Sequence, residues 1–218
     1  MIFPKLLYYN LEVIVLLSNN NNEENSIQLE KILSQKQINS ILYSDPFLKA
    51  GFISKLVKDT NIDVLYLDLD LLYSGYVTSR IIPSQKNLTL FQPTADTIGE
   101  MLPEILTKSS ISQSLIVIDS LNGLFNMLNQ KKDVGKTVVS IIMLITSMAR
   151  ITNSYVVIAS MVRYKKEEGW ILSPTGKRLI ETKNSKKILL EYEKGGILVN
   201  NLDDSSKLFI PASLIQLI

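Results

Sequence analysis

The sequence predicts an α/β domain: a mostly parallel β-sheet flanked by helices, with antiparallel strands at the C-terminal end. Three observations carry this. Short, continuous apolar runs recur along the chain, as they do in strands buried on both faces of a parallel sheet. Stretches with helical spacing lie between them. After residue 186 the pattern changes to short strands joined by tight turns. The composition agrees: 218 residues, 46% apolar and 20% charged, with a net charge of +2, describe a globular chain long enough for a substantial core.

In order along the chain, residues 6–17 are rich in Leu, Val, Ile and Tyr and suggest a strand or hairpin. The tract NNNNEEN at 19–25 reads as a solvated loop. Residues 26–35 carry Ile27, Leu29, Ile32 and Leu33 at helical spacing, with Ser26 as N-cap. Residues 38–43 are a short apolar strand, 49–59 a helix, and 62–69 and 87–91 two further strands. A helix runs from Thr94 to Leu106 with Ile98, Met101, Leu102 and Ile105 on one face, and Pro103 kinks or shortens it. Residues 114–119 (SLIVID) and 155–159 (YVVIA) are apolar strands around a helix over 137–151. Strands over 187–192, 196–200 and 207–210 follow, with Lys194-Gly195-Gly196 as a turn. The expected organisation is one domain over 1–218: an N-terminal extension to residue 37, a core over 38–186 and terminal antiparallel strands over 187–218.

The chain has no cysteine and no histidine. That excludes disulfides, thiol nucleophiles, His-containing triads and ordinary zinc or haem sites. Glu12 interrupts the apolar N-terminal stretch, and no small-residue cleavage site follows it. The run over 138–149 contains Ser140, Thr146 and Ser147 between Lys136 and Arg150, too short for a bilayer, and reads as a buried helix. The expectation is a cytoplasmic protein without a membrane partner.

LIVIDSLNGLF (115–125) resembles the Walker B strand of RecA/RadA-type ATPases. VLYLDLD (64–70) is similar to the family's strand that carries an acidic residue, and YVVIASMVR (155–163) to the strand that ends on Asn-Gln. The paired strands after Lys187 and the DDSS…LFIP stretch resemble its terminal strands. The likeness spans residues 38–218. It is nearest to archaeal RadA/RadB-like or KaiC-like proteins, and to the non-catalytic relatives among recombinase paralogues and Elongator accessory subunits. It implies a RecA-like fold. It also places Asp70 at the water-activating acid and Asp119 at the Walker B acid, both at the C-terminal edge of the sheet.

The departures are as informative as the matches. A P-loop, G-x-x-x-x-G-K-[ST], lets backbone N–H groups approach phosphates, while Lys holds their charge and the hydroxyl binds Mg²⁺. Here the position reads SDPFLKAG (44–51): Ser44 stands for the first Gly, Lys49 for the second, Ala50 for the Lys and Gly51 for the hydroxyl residue. Lys49 is either a shifted phosphate lysine or part of a structural turn, and Asp45 opposes an anion. Gly135-Lys136-Thr137 follows the Walker B-like strand instead of preceding it, and reads as a helix start. Where the family senses the γ-phosphate with Asn-Gln, this chain has Ser160-Met161, and Met cannot donate that hydrogen bond.

Residues 163–187 hold eight basic residues against three acidic ones, with Tyr164 and the only tryptophan, Trp170. Arg163, Lys165, Lys166, Lys177 and Arg178 would attract phosphates, and the aromatics would stack on bases. The alternative is a solvated loop, or a hairpin with Trp170 on the core. Lys131 and Lys132 fall where the family has another DNA loop. The reading is therefore a RecA-like pseudo-ATPase without cofactor, with single- or double-stranded DNA and a RecA-like partner or a second copy of itself as partners. The alternatives are a divergent working ATPase using ATP and Mg²⁺, with Lys49, Asp70 and Asp119 in its site, and an architectural subunit of an Elongator-like complex.

Overall fold

The computed structural model describes residues 29–35, 37–167, 169–172 and 185–215. The strand or hairpin expected over 6–17, the tract 19–25, Ser26, Lys177 and Arg178 lie outside these residues.

The strands are β1 (Ile38–Tyr43), β2 (Asp63–Asp68), β3 (Leu88–Phe91), β4 (Ser114–Asp119), β5 (Tyr155–Lys165), β6 (Gly169–Leu172), β7 (Ser185–Glu193), β8 (Gly196–Asn201) and β9 (Lys207–Pro211). They lie in the order β3-β2-β4-β5-β1-β7-β8-β9, and β6 pairs with β5. From β3 to β7 every neighbouring pair is parallel. The β7–β8 and β8–β9 pairs are antiparallel.

Side chains alternate between the two faces of a strand, and this parity fills two cores. Ile41, Tyr43, Val64, Tyr66, Leu115 and Val117 face one, with Leu48, Phe52, Ile53 and Leu56 of helix α2 (Pro46–Asp59). The short helix α1 (Leu29–Ile32) adds Ile32 to this core. Leu42, Leu65, Leu67, Ile116 and Ile118 face the other. That second core is closed by α4 (Ile98–Ile111), α5 (Leu121–Met127) and α6 (Val134–Ile151). Helix α3 (Leu72–Thr78) follows β2 and buries Tyr73 against Tyr66, with ring centroids 4.4 Å apart.

Several expectations are corrected. The segment 44–51 is no extended turn, because α2 begins at Pro46, where proline's fixed φ suits a first helical position. Helix α4 begins at Ile98 rather than Thr94, and Pro103 lies within it without shortening it. Helices α3 and α5 are not among the elements the sequence predicts. The first terminal strand, β7, is parallel to β1, so the antiparallel part begins one strand later. Residues 163–172 are not an open loop: β5 continues to Lys165 and turns back as β6. Helix α6 starts at Val134 and is long and apolar enough, by length and composition alone, to cross a membrane. It is not buried all round. One face packs Val138, Ile142 and Ile145 into the core, and the other exposes Val139, Met143, Leu144 and Ile151.

Candidate functional site at the carboxyl edge of the sheet

Only Ser44 and Asp45 separate the end of β1 from the start of α2. A helix N-terminus leaves N–H groups unpaired and attracts anions. Here the chain supplies the anion itself: Asp45 Oδ1 accepts from the Phe47 N–H at 2.8 Å. Pro46 removes one further donor. Ser44 is exposed beside this cap, while Ala50 is buried. Gly51 is a packing glycine: a Cβ built there would lie 2.7 Å from Ile215 Cγ2, so α2 passes too close to the C-terminal segment to carry a side chain.

Lys49 lies one helical turn before Ile53 and continues the apolar stripe of α2 over the sheet. Its side chain is fully buried. Its ammonium donates to Asp70 Oδ2 at 2.7 Å and to Asp119 Oδ1 at 2.6 Å, and lies 5.2 Å from the centre of the Tyr43 ring. Tyr66 Oη donates to Asp119 Oδ2 at 2.5 Å. Asp68, opposite Asp119 in the strand register, accepts the Ser74 N–H at 2.7 Å. The Leu72 N–H is bound by Asp70 Oδ1 at 3.2 Å. Strand parity explains the gathering: Tyr43, Tyr66, Asp68 and Asp119 all project toward α2, at the carboxyl ends of three strands.

Burial works against the Lys49 ammonium, but Asp119, Tyr43 and Asp70 outweigh it and hold its pKa above the usual lysine range. Burial pushes Asp119 up to about 6, with Lys49 acting in the opposite direction. At neutral pH both groups are therefore charged. Tyr66 is driven well above the usual phenol value, first by burial and then by Asp119, so its hydroxyl stays a donor.

Beside this cluster opens a cavity of about 360 Å³ lined by Tyr43, Asp70, Ser120, Asn122, Met127 and Met161, among others. Asn122 Oδ1 accepts the Met161 N–H at 3.2 Å. Helix α5 crosses close above Leu69, because a Cβ at Gly123 would meet Leu69 Cβ at 2.9 Å. Asn126 and Met127 also line a second cavity, which includes Lys131.

No family model matches the chain, and no curated protein does. Among solved structures 260 chains match, so the architecture is widely used and does not by itself select an activity. One of them is an ATPase domain, that of a RecA-like helicase. It has a TM-score of 0.58 and 13% sequence identity, over 85% of this chain and 88% of that chain. The fold is RecA-like. At this identity the likeness concerns the fold alone.

The RecA-like fold implies a nucleotide and its metal at the carboxyl edge, and the residues there do not fit them. The two-residue β1–α2 connection cannot wrap a phosphate, and its helix end is already capped by Asp45. Lys49, the one basic side chain of that segment, is committed to two carboxylates. Asp68, Asp70 and Asp119 face that one ammonium, which leaves negative charge where a polyphosphate would have to lie.

Of the proposed nucleic-acid residues, Arg163, Lys166, Lys131 and Lys132 are exposed. Tyr164 stands opposite Trp170, and Lys165 opposite Gly169, in the β5–β6 pair. Met161, two residues before Arg163, shares the first cavity with Asn126 and Met127, which lead to Lys131. The two basic segments thus flank one edge. The sequence reading missed Tyr66 and Asp68 as members of the site and did not foresee the Lys49 ion pairs. The alternation of VLYLDLD, which puts Tyr66 and Asp68 on one face, is the signal that could have found the first two.

Proposed function

We propose that this chain is a RecA-like module without ATPase activity, serving recombination or repair as a nucleic-acid-binding accessory or partner subunit. The observation that carries the reading is the state of Lys49: the basic residue nearest the phosphate position is buried between Asp70 and Asp119, on a helix capped by its own carboxylate. Phosphoryl transfer depends on a positive clamp around the phosphates, and this site offers an excess of carboxylates instead. With that chemistry gone, the exposed features are the basic segments at the same edge. Arg163 and Lys166 on one side, and Lys131 and Lys132 on the other, suit a polynucleotide backbone.

The test uses the full chain. Mg²⁺·ATP is expected to produce neither turnover above background nor a rise in melting temperature. A labelled single-stranded oligonucleotide is expected to bind at low salt and to dissociate as salt rises. Saturable hydrolysis abolished by Asp119→Ala would defeat the first half of the proposal. Failure to bind single- or double-stranded DNA or RNA at low salt would defeat the second.

A further inference from the structure

We infer that the Lys49 ammonium is a resident cation: it fills a position that Asp68, Asp70 and Asp119 build for an ion of Ca²⁺ size, and removing it uncovers a divalent-cation site. One oxygen from each carboxylate lies within 4.8 Å of the others. Two oxygens on opposite sides of a Ca²⁺ ion, each about 2.3–2.6 Å from it, span a similar distance. The ammonium stands among them, 2.7 Å from Asp70 Oδ2 and 2.6 Å from Asp119 Oδ1.

A second observation points to a cation independently of the acidic cluster. Asp68 is fully buried, and its Oδ1 has no hydrogen-bond partner. A buried carboxylate oxygen left without a donor is costly, and one ammonium shared between Asp70 and Asp119 does not serve it. A multivalent ion would. The carboxylates are already oriented as ligands are, each held from behind by a donor: Tyr66 Oη on Asp119, the Ser74 N–H on Asp68 and the Leu72 N–H on Asp70. The cavity of about 360 Å³ that Asp70 borders gives room for the water that completes such a shell. The lysine therefore does permanently what a bound ion does conditionally, and the wild-type edge is closed to metals.

This inference rests on reading the site as non-catalytic, and its test contains no nucleotide, so the two fail separately. Tb³⁺, which reports Ca²⁺-type sites through emission sensitised by nearby tyrosines such as Tyr66, is titrated into wild type, Lys49→Ala and Lys49→Met. Melting curves are recorded with and without millimolar Ca²⁺. Lys49→Ala is expected to bind Tb³⁺ at least about tenfold more tightly than wild type and to regain melting temperature with Ca²⁺. Lys49→Met, which fills the space without charge, is expected to lose stability and gain nothing from Ca²⁺. Adding Asp119→Asn to Lys49→Ala is expected to abolish the response. Equal Tb³⁺ binding by wild type, or equal rescue of the Met variant, would overturn the inference. So would a folded Lys49→Ala chain that ignores both ions, or one that fails to fold even with Ca²⁺ present throughout refolding.

Discussion

A buried ammonium is tolerated where carboxylates meet it, and Lys49 has two of them within 2.7 Å. Breaking such a pair from one side leaves an uncompensated charge, which costs about 3–5 kcal/mol. Lys49→Met is expected to lose that much in urea unfolding, and Lys49→Met with Asp119→Asn to recover part of it. The pH dependence has a definite sign. Asp119 has a folded pKa of about 6, above its unfolded value near 3.8, so the native state binds the extra proton between these values. Its contribution to stability therefore falls as pH rises through that window. In Lys49→Met the counter-ion is gone and the window widens upward, so the deficit is expected to be smaller at pH 5 than at pH 8. Equal deficits would mean that Asp119 is not the group left unpaired. The Lys49 contribution itself has its own window: its raised pKa makes it fully present below the ordinary lysine value and lost as pH rises through the folded one.

Elements explain how such a residue comes to lie at the edge. Asp45→Ala removes the cap of α2 and is expected to cost about 1 kcal/mol in stability, read by urea unfolding. Gly196→Ala is expected to cost about 1–3 kcal/mol or more, because its Cβ would collide with the Ile210 carbonyl oxygen in the β8–β9 pair. A melting temperature equal to that of wild type would show that β9 gives way freely. The parallel strands were legible in the sequence because burial on both faces demands unbroken apolar runs, as in SLIVID and YVVIA. Helices α3 and α5 were not: each has seven residues, and LYSGYVT and LNGLFNM both carry glycine, so neither shows a period long enough to read. The direction of β7 was hidden for another reason. Apolar alternation marks a strand but not its neighbour, and β7 pairs with β1, far away in the chain. The same distance hid the site. Asp70 and Asp119 were legible as strand-end carboxylates, whereas the charge that joins them comes from α2, 70 residues before Asp119.

On the scale of the whole molecule, a net charge of +2 cannot hold a polynucleotide unless the positive charge is gathered in one place. Residues 163–187 carry eight basic side chains against three acidic ones, and the turn with Lys131 and Lys132 adds two more beside the edge where Arg163 stands. Binding through these groups releases counter-ions, so affinity for a single strand is expected to fall with a log–log slope of about −0.7 per neutralised phosphate. Lys165→Ala with Lys166→Ala is expected to flatten the slope by roughly one to two phosphates and to weaken all sequences alike. Lys131→Ala with Lys132→Ala is expected to act in the same sense if the two segments serve one strand. Trp170→Ala belongs to a different class of effect. Stacking on a base is not ionic, so the loss is expected to be on the order of 1–3 kcal/mol in affinity with little change in slope. A tryptophan that only packs on the protein predicts the opposite pair of results, a lower melting temperature and unchanged affinity. Salt-titrated binding beside thermal unfolding of the same three variants therefore separates charge, stacking and packing. An unchanged slope in both lysine pairs would remove this edge as the nucleic-acid surface, while leaving the ion pairs of Lys49 untouched.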